Sequence, residues 1–201
     1  MKFGDKPNPE ELVPKIAQLH LKGTSPNGMF GFPVPTALGK MQRTVIWEKS
    51  WAKAFTRQLQ DVMRYDTERH GSWPELDAAC KQLIDVVIPR LLGVLQSDGR
   101  EIKPTLIHGD IWERNLGVDM ETNKLVVFDP GCTYAHNERE FGEWRAWWAY
   151  YFSSAAYLRV YKRYIGPSEP ASEFRDRQRL YTIHSYFNDS AGHDNSKSRR
   201  M

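Results

Sequence analysis

Apolar residues recur at helical intervals over most of the chain. The spacing i, i+3, i+4, i+7 predicts helices over approximately residues 9–22, 47–70, 74–88, 140–165 and 173–190. Asn8 and Pro9 are typical of a helix start, as N-cap and first-turn proline. Ser72 with Glu75 resembles a capping box for the third helix. Pro89 is expected to end or kink that helix near Ile88, because proline lacks a backbone N–H.

Between residues 100 and 130 the pattern changes to short apolar runs. Thr105–Ile107 and Leu125–Phe128 are predicted strands, with a turn at Thr122-Asn123. Residues 24–39, by contrast, contain three glycines and three prolines and are predicted to form a long loop. Long ordered loops are usually functional, but a surface excursion anchored by Phe30 and Phe32 explains the composition equally well.

Composition restricts the class of protein. With 201 residues, 40% hydrophobic and 26% charged, the chain can bury a core as one globular domain, here residues 1–191. Residues 192–201 are predicted to be a flexible basic tail. A net charge of +3 does not favour a nucleic-acid partner. The apolar runs are too short for a membrane span or a secretory signal, so we expect a cytoplasmic protein, and two cysteines fit a reducing compartment.

One motif carries the chemistry. His108-Gly109-Asp110 is followed by Asn115, and Asp129 ends the predicted strand that begins at Leu125. Phosphoryl transfer needs a carboxylate for the attacking hydroxyl, a neutral oxygen ligand for Mg²⁺ and a second carboxylate between metal and nucleotide. Protein kinases have the same order as H-R-D-x-x-x-x-N followed by D-F-G. The sequence therefore predicts a phosphotransferase catalytic loop at residues 107–117 and a metal-binding strand end at 125–130.

Two other interpretations of polar residues remain open here. Glu138, Glu140 and Glu143 either form an acidic pocket that favours a cationic substrate, or lie on a solvated helix face. A His-based metal hydrolase is disfavoured, because the six histidines show no ligand spacing.

The region from Leu19 to Ser190 resembles the fructosamine/ketosamine-3-kinase family, relatives of the aminoglycoside and choline kinases within the protein-kinase-like fold. The tryptophan after the catalytic aspartate and Phe-Asp-Pro in place of D-F-G are the most specific matches, and residues 136–142 look like a fungal branch. The other matching stretches follow in the same order: Leu19-His20, Thr24-Ser25-Pro26, Phe30-Gly31-Phe32, Trp47 with Ser50-Trp51, His136 with Glu138, and Ser168-Glu169-Pro170.

The resemblance implies ATP-dependent phosphorylation of the sugar 3-hydroxyl of ketosamines, which are fructosamine or ribulosamine adducts of protein amines, and thus repair of glycated protein. Substrates would be glycated proteins or small ketosamines, and the cofactors ATP and Mg²⁺. By the same resemblance Asp110 is the catalytic base, and Asn115 and Asp129 bind the metal and nucleotide. The candidate substrate-facing residues are Trp112, His108, Phe30 and Phe32.

The resemblance also implies an α+β fold class in which the chain is only the mainly helical C-terminal lobe. The N-terminal ATP-binding lobe, with its glycine-rich loop and strand lysine, is absent from the sequence pattern, so we expect a very large loss of rate for this chain alone. The alternatives are another small-molecule kinase, acting on an aminoglycoside-like or choline-like hydroxyl, and a non-catalytic binding fragment. The sequence indicates no oligomeric state.

Overall fold

A computed structural model describes residues 2–3 and 6–200, with the side chain of Arg200 left out. Met1, Gly4 and Asp5 of the predicted domain and Met201 of the predicted tail lie outside the described residues. The domain boundary at residue 191 stays a prediction.

Six α-helices occur within the described residues, in the order α1 (Pro9–Lys22), α2 (Trp51–His70), α3 (Pro74–Gln82), α4 (Ile88–Leu92), α5 (Ala155–Tyr161) and α6 (Phe174–Gly192). Their N-terminal signals are partly as predicted. The Asn8 side chain caps α1 by accepting from the backbone N–H of Glu10 at 3.0 Å. The capping box at Ser72 is wrong, because Trp73 is the N-cap and the Ser72 hydroxyl donates to Asp77 at 2.6 Å.

A π-helical segment, Leu83–Val87, joins α3 to α4 immediately before Pro89. The chain does not end its helix near Ile88. The regular α-helix is interrupted by the π-helical segment, and α4 then begins at Ile88. A π turn widens the helix by one residue, which accommodates the hydrogen bond that proline cannot donate.

Nine strands of two or three residues lie in the same described ranges: β1 (Lys2–Phe3), β2 (Phe30–Gly31), β3 (Ala37–Leu38), β4 (Met41–Gln42), β5 (Trp47–Glu48), β6 (Thr105–Ile107), β7 (Leu116–Val118), β8 (Leu125–Val127) and β9 (Thr133–Ala135). They form three sheets with the orders β1-β7-β8, β5-β2-β9-β6 and β3-β4. Every pairing is antiparallel.

The predicted fold class, a mainly helical C-terminal lobe alone, is corrected by these sheets. The first described residues, Lys2 and Phe3, already pair with Val118 and Gly117 of β7. Residues 24–39 contribute β2 and β3, and Trp47–Glu48 is a strand where the sequence predicted a helix. Such short strands escape sequence reading because two residues are too few to show the alternation of a half-buried strand.

The region 140–165 differs most from the predicted helix. Two 3₁₀ turns, Asn137–Phe141 and Glu143–Arg145, precede irregular chain that leads to the seven-residue α5. The apolar residues there are buried as predicted, with Phe141, Trp144 and Phe152 each at most 2% exposed. The aromatic residues of this region are therefore buried, but the regular helix predicted over residues 140–165 is wrong.

Two apolar cores hold the two ends of the loop that follows β6. The first core is built around α2, α4 and α6 and includes Ile107, and the second lies around α1 and α5 and includes Ile111. Both isoleucines are 1% exposed. Residues 108–110 are therefore held between two anchors only four residues apart, which fixes the position of the loop.

The described part of the predicted tail makes definite contacts. The hydroxyls of Ser196 and Ser198 donate to Asp189 Oδ2 at 2.5 and 2.7 Å. Arg199 forms an ion pair with the buried Asp66.

Candidate active site

The loop that follows β6 begins at His108 and lies beside the segment that enters β9. β6 pairs with β9 through Ile107 and Thr133, so the loop after β6 and residues 129–132 before β9 are brought side by side. Gly109 marks their closest approach. Its φ is +81°, and a Cβ there would lie 2.5 Å from the carbonyl oxygen of Gly131, so only glycine fits without strain.

Asp110 and Asn115 are joined directly. The Asn115 side-chain Nδ2 donates to Asp110 Oδ2 at 2.7 Å and to the Asp110 carbonyl at 2.9 Å. Asn115 Oδ1 has no hydrogen-bond partner among the described residues. The two bonds fix the Asp110 carboxylate and leave the Asn115 amide oxygen available to another group.

His108 links the catalytic loop to the strand end that carries Asp129. Its Nδ1 accepts from the backbone N–H of Asp110 at 3.3 Å, which places the ring hydrogen on Nε2. Nε2 then donates to the carbonyl of Phe128 at 3.1 Å. The geometry gives His108 a positioning role between the two segments.

Glu140 holds the backbone of the loop from below. Its two carboxylate oxygens accept the N–H groups of His108 and Gly109, each at 2.7 Å, and His20 Nε2 lies 3.1 Å away. Burial alone would raise the pKa of Glu140, but hydrogen bonding and charge from His20, with the other bonds, lower it below its ordinary value. Glu140 therefore stays ionised and keeps both loop N–H groups bonded.

Asp129 has a left-handed backbone, with φ of 56°, which is uncommon for a residue other than glycine. Its side chain is exposed and accepts no hydrogen bond within the described part of the chain. A strained backbone that presents a free carboxylate is typical of a functional position.

These residues surround a cavity of about 520 Å³, which Asp110, Trp112, Asn115 and Asp129 all line. The structure thus brings four of the seven sequence-predicted residues together. The other lining residues are Gly39, Lys40, Met41, Arg114, Glu143, Trp147, Trp148, Ser185, Asn188, Asp189, Gly192 and His193.

Phe30, Phe32 and His108 do not line this cavity. Phe30 is 1% exposed and packs against Trp51, with ring centroids 5.3 Å apart. Phe32 contacts Tyr134 on the sheet, at a centroid distance of 5.7 Å. This geometry supports the alternative in which both phenylalanines anchor the loop.

Comparison with known proteins gives the family. A model of the fructosamine kinase family matches residues 1–198. The chain belongs to the fructosamine kinase family. The chloroplastic protein-ribulosamine 3-kinase of Arabidopsis thaliana is 29% identical over 187 residues, which cover 92% of this chain and 52% of the relative. The ketosamine-3-kinase of Mus musculus is 30% identical over 160 residues, 79% of this chain and 47% of the relative.

Two solved bacterial structures share the fold. A candidate fructosamine-3-kinase from Haemophilus somnus has a TM-score of 0.72 at 21% identity, over 98% of this chain and 61% of its own. A second, from Thermobifida fusca, has a TM-score of 0.77 at 19% identity, over 100% of this chain and 65% of its own.

These matches also overturn the predicted C-terminal lobe. The family model and both structures extend over nearly the whole chain, with its strands as well as its helices. The chain spans about half the length of the curated relatives that it matches.

In this family member Glu143 interacts with Asp110. Burial, and then the charge and contact of Asp110, raise the pKa of Glu143 well above its ordinary value. Burial also raises the pKa of Asp110. Because the two carboxyl groups are close together, repulsion between two negative charges favours the state in which the pair keeps one proton. A base with a raised pKa is better matched to proton transfer at pH 7.

The three glutamates considered as an acidic pocket have separate roles. Glu138 forms a buried ion pair with Arg177 at 2.7 Å, Glu140 binds the loop, and only Glu143 reaches the cavity. All three are at most 6% exposed, so the solvated helix face is wrong.

Several site residues escaped sequence analysis. Arg43 is partly buried and donates to the carbonyl of Gly131 at 2.5 Å, which supports the segment after Asp129. Desolvation of its guanidinium lowers the pKa of Arg43 to about 10. Lys40 and Arg114 bring positive charge to the cavity. The rest of the cavity wall includes Trp147, Trp148 and the α6 residues Ser185, Asn188, Asp189 and Gly192. None of them belongs to a spaced motif, and the composition of residues 24–39 fits a functional loop and a surface excursion equally well.

No helix in the described ranges is both long and apolar enough to cross a bilayer. The same residues contain no group of three or more His, Cys, Asp and Glu side chains arranged for a metal ion. A kinase site needs fewer protein ligands, because phosphate oxygens supply the rest.

Proposed function

We propose that this family member transfers the γ-phosphoryl group of ATP to the 3-hydroxyl of a ketosamine, a fructosamine or ribulosamine adduct of a protein amine or of a small amine. The observation that carries the proposal is the Asp110–Asn115 pair, which lines one cavity together with Asp129. Since the chain spans about half the length of its curated relatives, the activity of the whole protein is part of the proposal.

Asp110 would orient the sugar hydroxyl and accept its proton. Its carboxylate is fixed by Asn115, and burial raises its pKa, which strengthens it as a base. The loop itself is fixed by Glu140 and His108, so little reorganisation is needed when the substrate binds.

The residues present fit Mg²⁺. Asn115 offers an amide oxygen without a partner among the described residues, and Asp129 offers an exposed carboxylate, which are hard oxygen ligands. Mg²⁺ bound with ATP would neutralise charge on the phosphates during transfer. Lys40 and Arg114 at the cavity add positive charge for the same purpose. We also propose a reducing, cytoplasmic location, since Cys80 and Cys132 are both free thiols.

The test is Mg·ATP-dependent phosphorylation of fructosyl-lysine and ribulosyl-lysine by the wild type and by Asp110→Asn. We expect phosphorylated product from the wild type and a loss of about 10²–10⁴-fold in the variant, the range for a removed general base. Binding of Mg·ATP, measured by calorimetry, should be retained in Asp110→Asn. No product and no Mg·ATP binding in the wild type would contradict the proposal and leave a non-catalytic binding domain.

A further inference from the structure

The α6 side of the cavity contains polar atoms that the protein does not satisfy. Ser185 Oγ and Asn188 Oδ1 are buried and have no hydrogen-bond partner among the described residues. The two residues are three apart on α6, so they share one face of the helix, and both line the cavity that contains Asp110. Buried polar atoms are nearly always paired in native proteins, so this pair requires an explanation.

Other hydroxyls on the same helix are bonded where they lie away from the cavity. Thr182 Oγ1 donates to the carbonyl of Gly142 at 2.8 Å, and Ser190 Oγ donates to Asp66 Oδ1 at 2.5 Å. Hydroxyl groups on α6 therefore form hydrogen bonds where an acceptor lies within reach. Ser185 Oγ and Asn188 Oδ1 have no such partner among the described residues, and both residues line the cavity.

The cavity has the size and the walls of a sugar site. About 520 Å³ is far more than the roughly 30 Å³ that one water occupies, and lies within the range of small-molecule sites. Trp147 and Trp148 contribute aromatic surface, which suits the C–H faces of a sugar. The ligand must bring hydrogen-bond donors, because Asn188 Oδ1 can only accept.

Hydroxyl groups fit these atoms better than an ammonium group. The unpartnered atoms belong to neutral side chains, whereas a buried ammonium needs an ionised partner. Asp189, the nearby carboxylate on α6, already accepts from the hydroxyls of Ser196 and Ser198 and lies 3.3 Å from His193 Nδ1.

We propose that Ser185 and Asn188 form a subsite that binds hydroxyl groups of the acceptor sugar other than the one that is phosphorylated. This subsite rests on the proposed function, because it assigns to the sugar the side of the cavity that faces the catalytic loop. It makes α6 the element that recognises the sugar, while the loop carries out the chemistry.

The experiment is calorimetric titration with fructosyl-lysine, without ATP, of the wild type, Ser185→Ala and Asn188→Ala, together with thermal unfolding of each protein. We expect at least a tenfold loss of affinity in both variants. Their unfolding temperatures without ligand should be unchanged or higher, because no bond within the protein is removed. Lysine alone should bind weakly to all three proteins.

Ser190→Ala is the matched control, since it removes a bonded hydroxyl from the same helix. It should lower the unfolding temperature and leave the affinity for fructosyl-lysine unchanged. A fall in unfolding temperature for Ser185→Ala equal to that of the control would overturn the subsite in favour of a structural role. Equal affinity of the wild type for lysine and for fructosyl-lysine would also overturn the subsite.

Turnover of fructosyl-lysine by the wild type, measured in parallel, separates the two proposals. If the wild type binds and phosphorylates the ligand while both variants bind it equally well, the subsite is wrong and the function stands. If the wild type neither binds nor phosphorylates it, both are overturned.

Discussion

The wall of the cavity formed by the catalytic loop and the wall formed by α6 differ in how their polar groups are bonded. On the loop side, Asp110 is fixed by Asn115, and the backbone N–H groups of His108 and Gly109 both reach Glu140 at 2.7 Å. On the α6 side, buried oxygens of Ser185 and Asn188 have no partner within the described residues.

The contrast matches two requirements of the proposed phosphoryl transfer. Groups that act on the reacting atoms must already be oriented, because reorganisation during the reaction costs rate. Groups that select a substrate gain most when their partners arrive with it, since an analogue without those partners leaves them unpaired.

The largest effect is expected for Glu140→Gln. The amide offers one acceptor oxygen in place of two and turns an NH₂ group toward a loop N–H, so a buried charged network is broken. Loss of one partner from such networks costs about 3–5 kcal/mol of unfolding free energy. Urea denaturation measures this loss, and turnover should fall with it because Asp110 is no longer held in place.

Glu68→Gln is the control for that substitution. Glu68 pairs with Arg64 on the surface of α2, where its side chain is 57% exposed. The urea midpoint of Glu68→Gln should equal that of the wild type. An equally small effect for Glu140→Gln would show that the loop does not depend on this carboxylate.

The second effect compares Gly109→Ala with Gly99→Ala. Both glycines have a left-handed backbone, with φ of +81° and +76°, but only at Gly109 would the new methyl group meet another atom, the Gly131 carbonyl at 2.5 Å. We expect about 1–2 kcal/mol of destabilisation at Gly99 from the backbone alone. Gly109→Ala should cost about 1–3 kcal/mol more, from overpacking. Equal losses in unfolding free energy would mean that the two segments are not in close contact.

The smallest effect concerns Glu143→Gln and depends on pH. Because the folded-state pKa of Glu143 lies above its unfolded value, the native state holds a proton that the unfolded chain releases. That contribution is complete below the unfolded pKa, near 4.5, and is lost as the pH rises. Glutamine cannot ionise, so the stability of the variant relative to the wild type should increase between pH 5 and 9.

Thermal unfolding of both proteins across that range measures the difference. A constant difference in unfolding temperature at all pH values would contradict the shared proton between Glu143 and Asp110.

The two walls also differ in how far sequence could predict them. Asp110, Asn115 and Asp129 lie within twenty residues, and the chemistry proposed for them restricts their spacing, so the sequence alone could single out this side of the cavity. Ser185 and Asn188 lie more than fifty residues after Asp129 in the sequence. Polar residues three apart on a helix are equally common on a solvent-exposed face, so their spacing does not indicate a cavity. Glu140 and Glu143 were noticed as acidic, but their burial depends on 3₁₀ turns where a regular helix was predicted.

The most direct test is to measure, for Asp110→Asn and Ser185→Ala, the dissociation constant for fructosyl-lysine and the single-turnover rate at saturating ligand and Mg·ATP. If the loop wall performs the chemistry and the α6 wall binds the sugar, Asp110→Asn retains affinity and loses the rate. Ser185→Ala then loses affinity and retains the rate. Loss of the same parameter in both variants would contradict this division of the site.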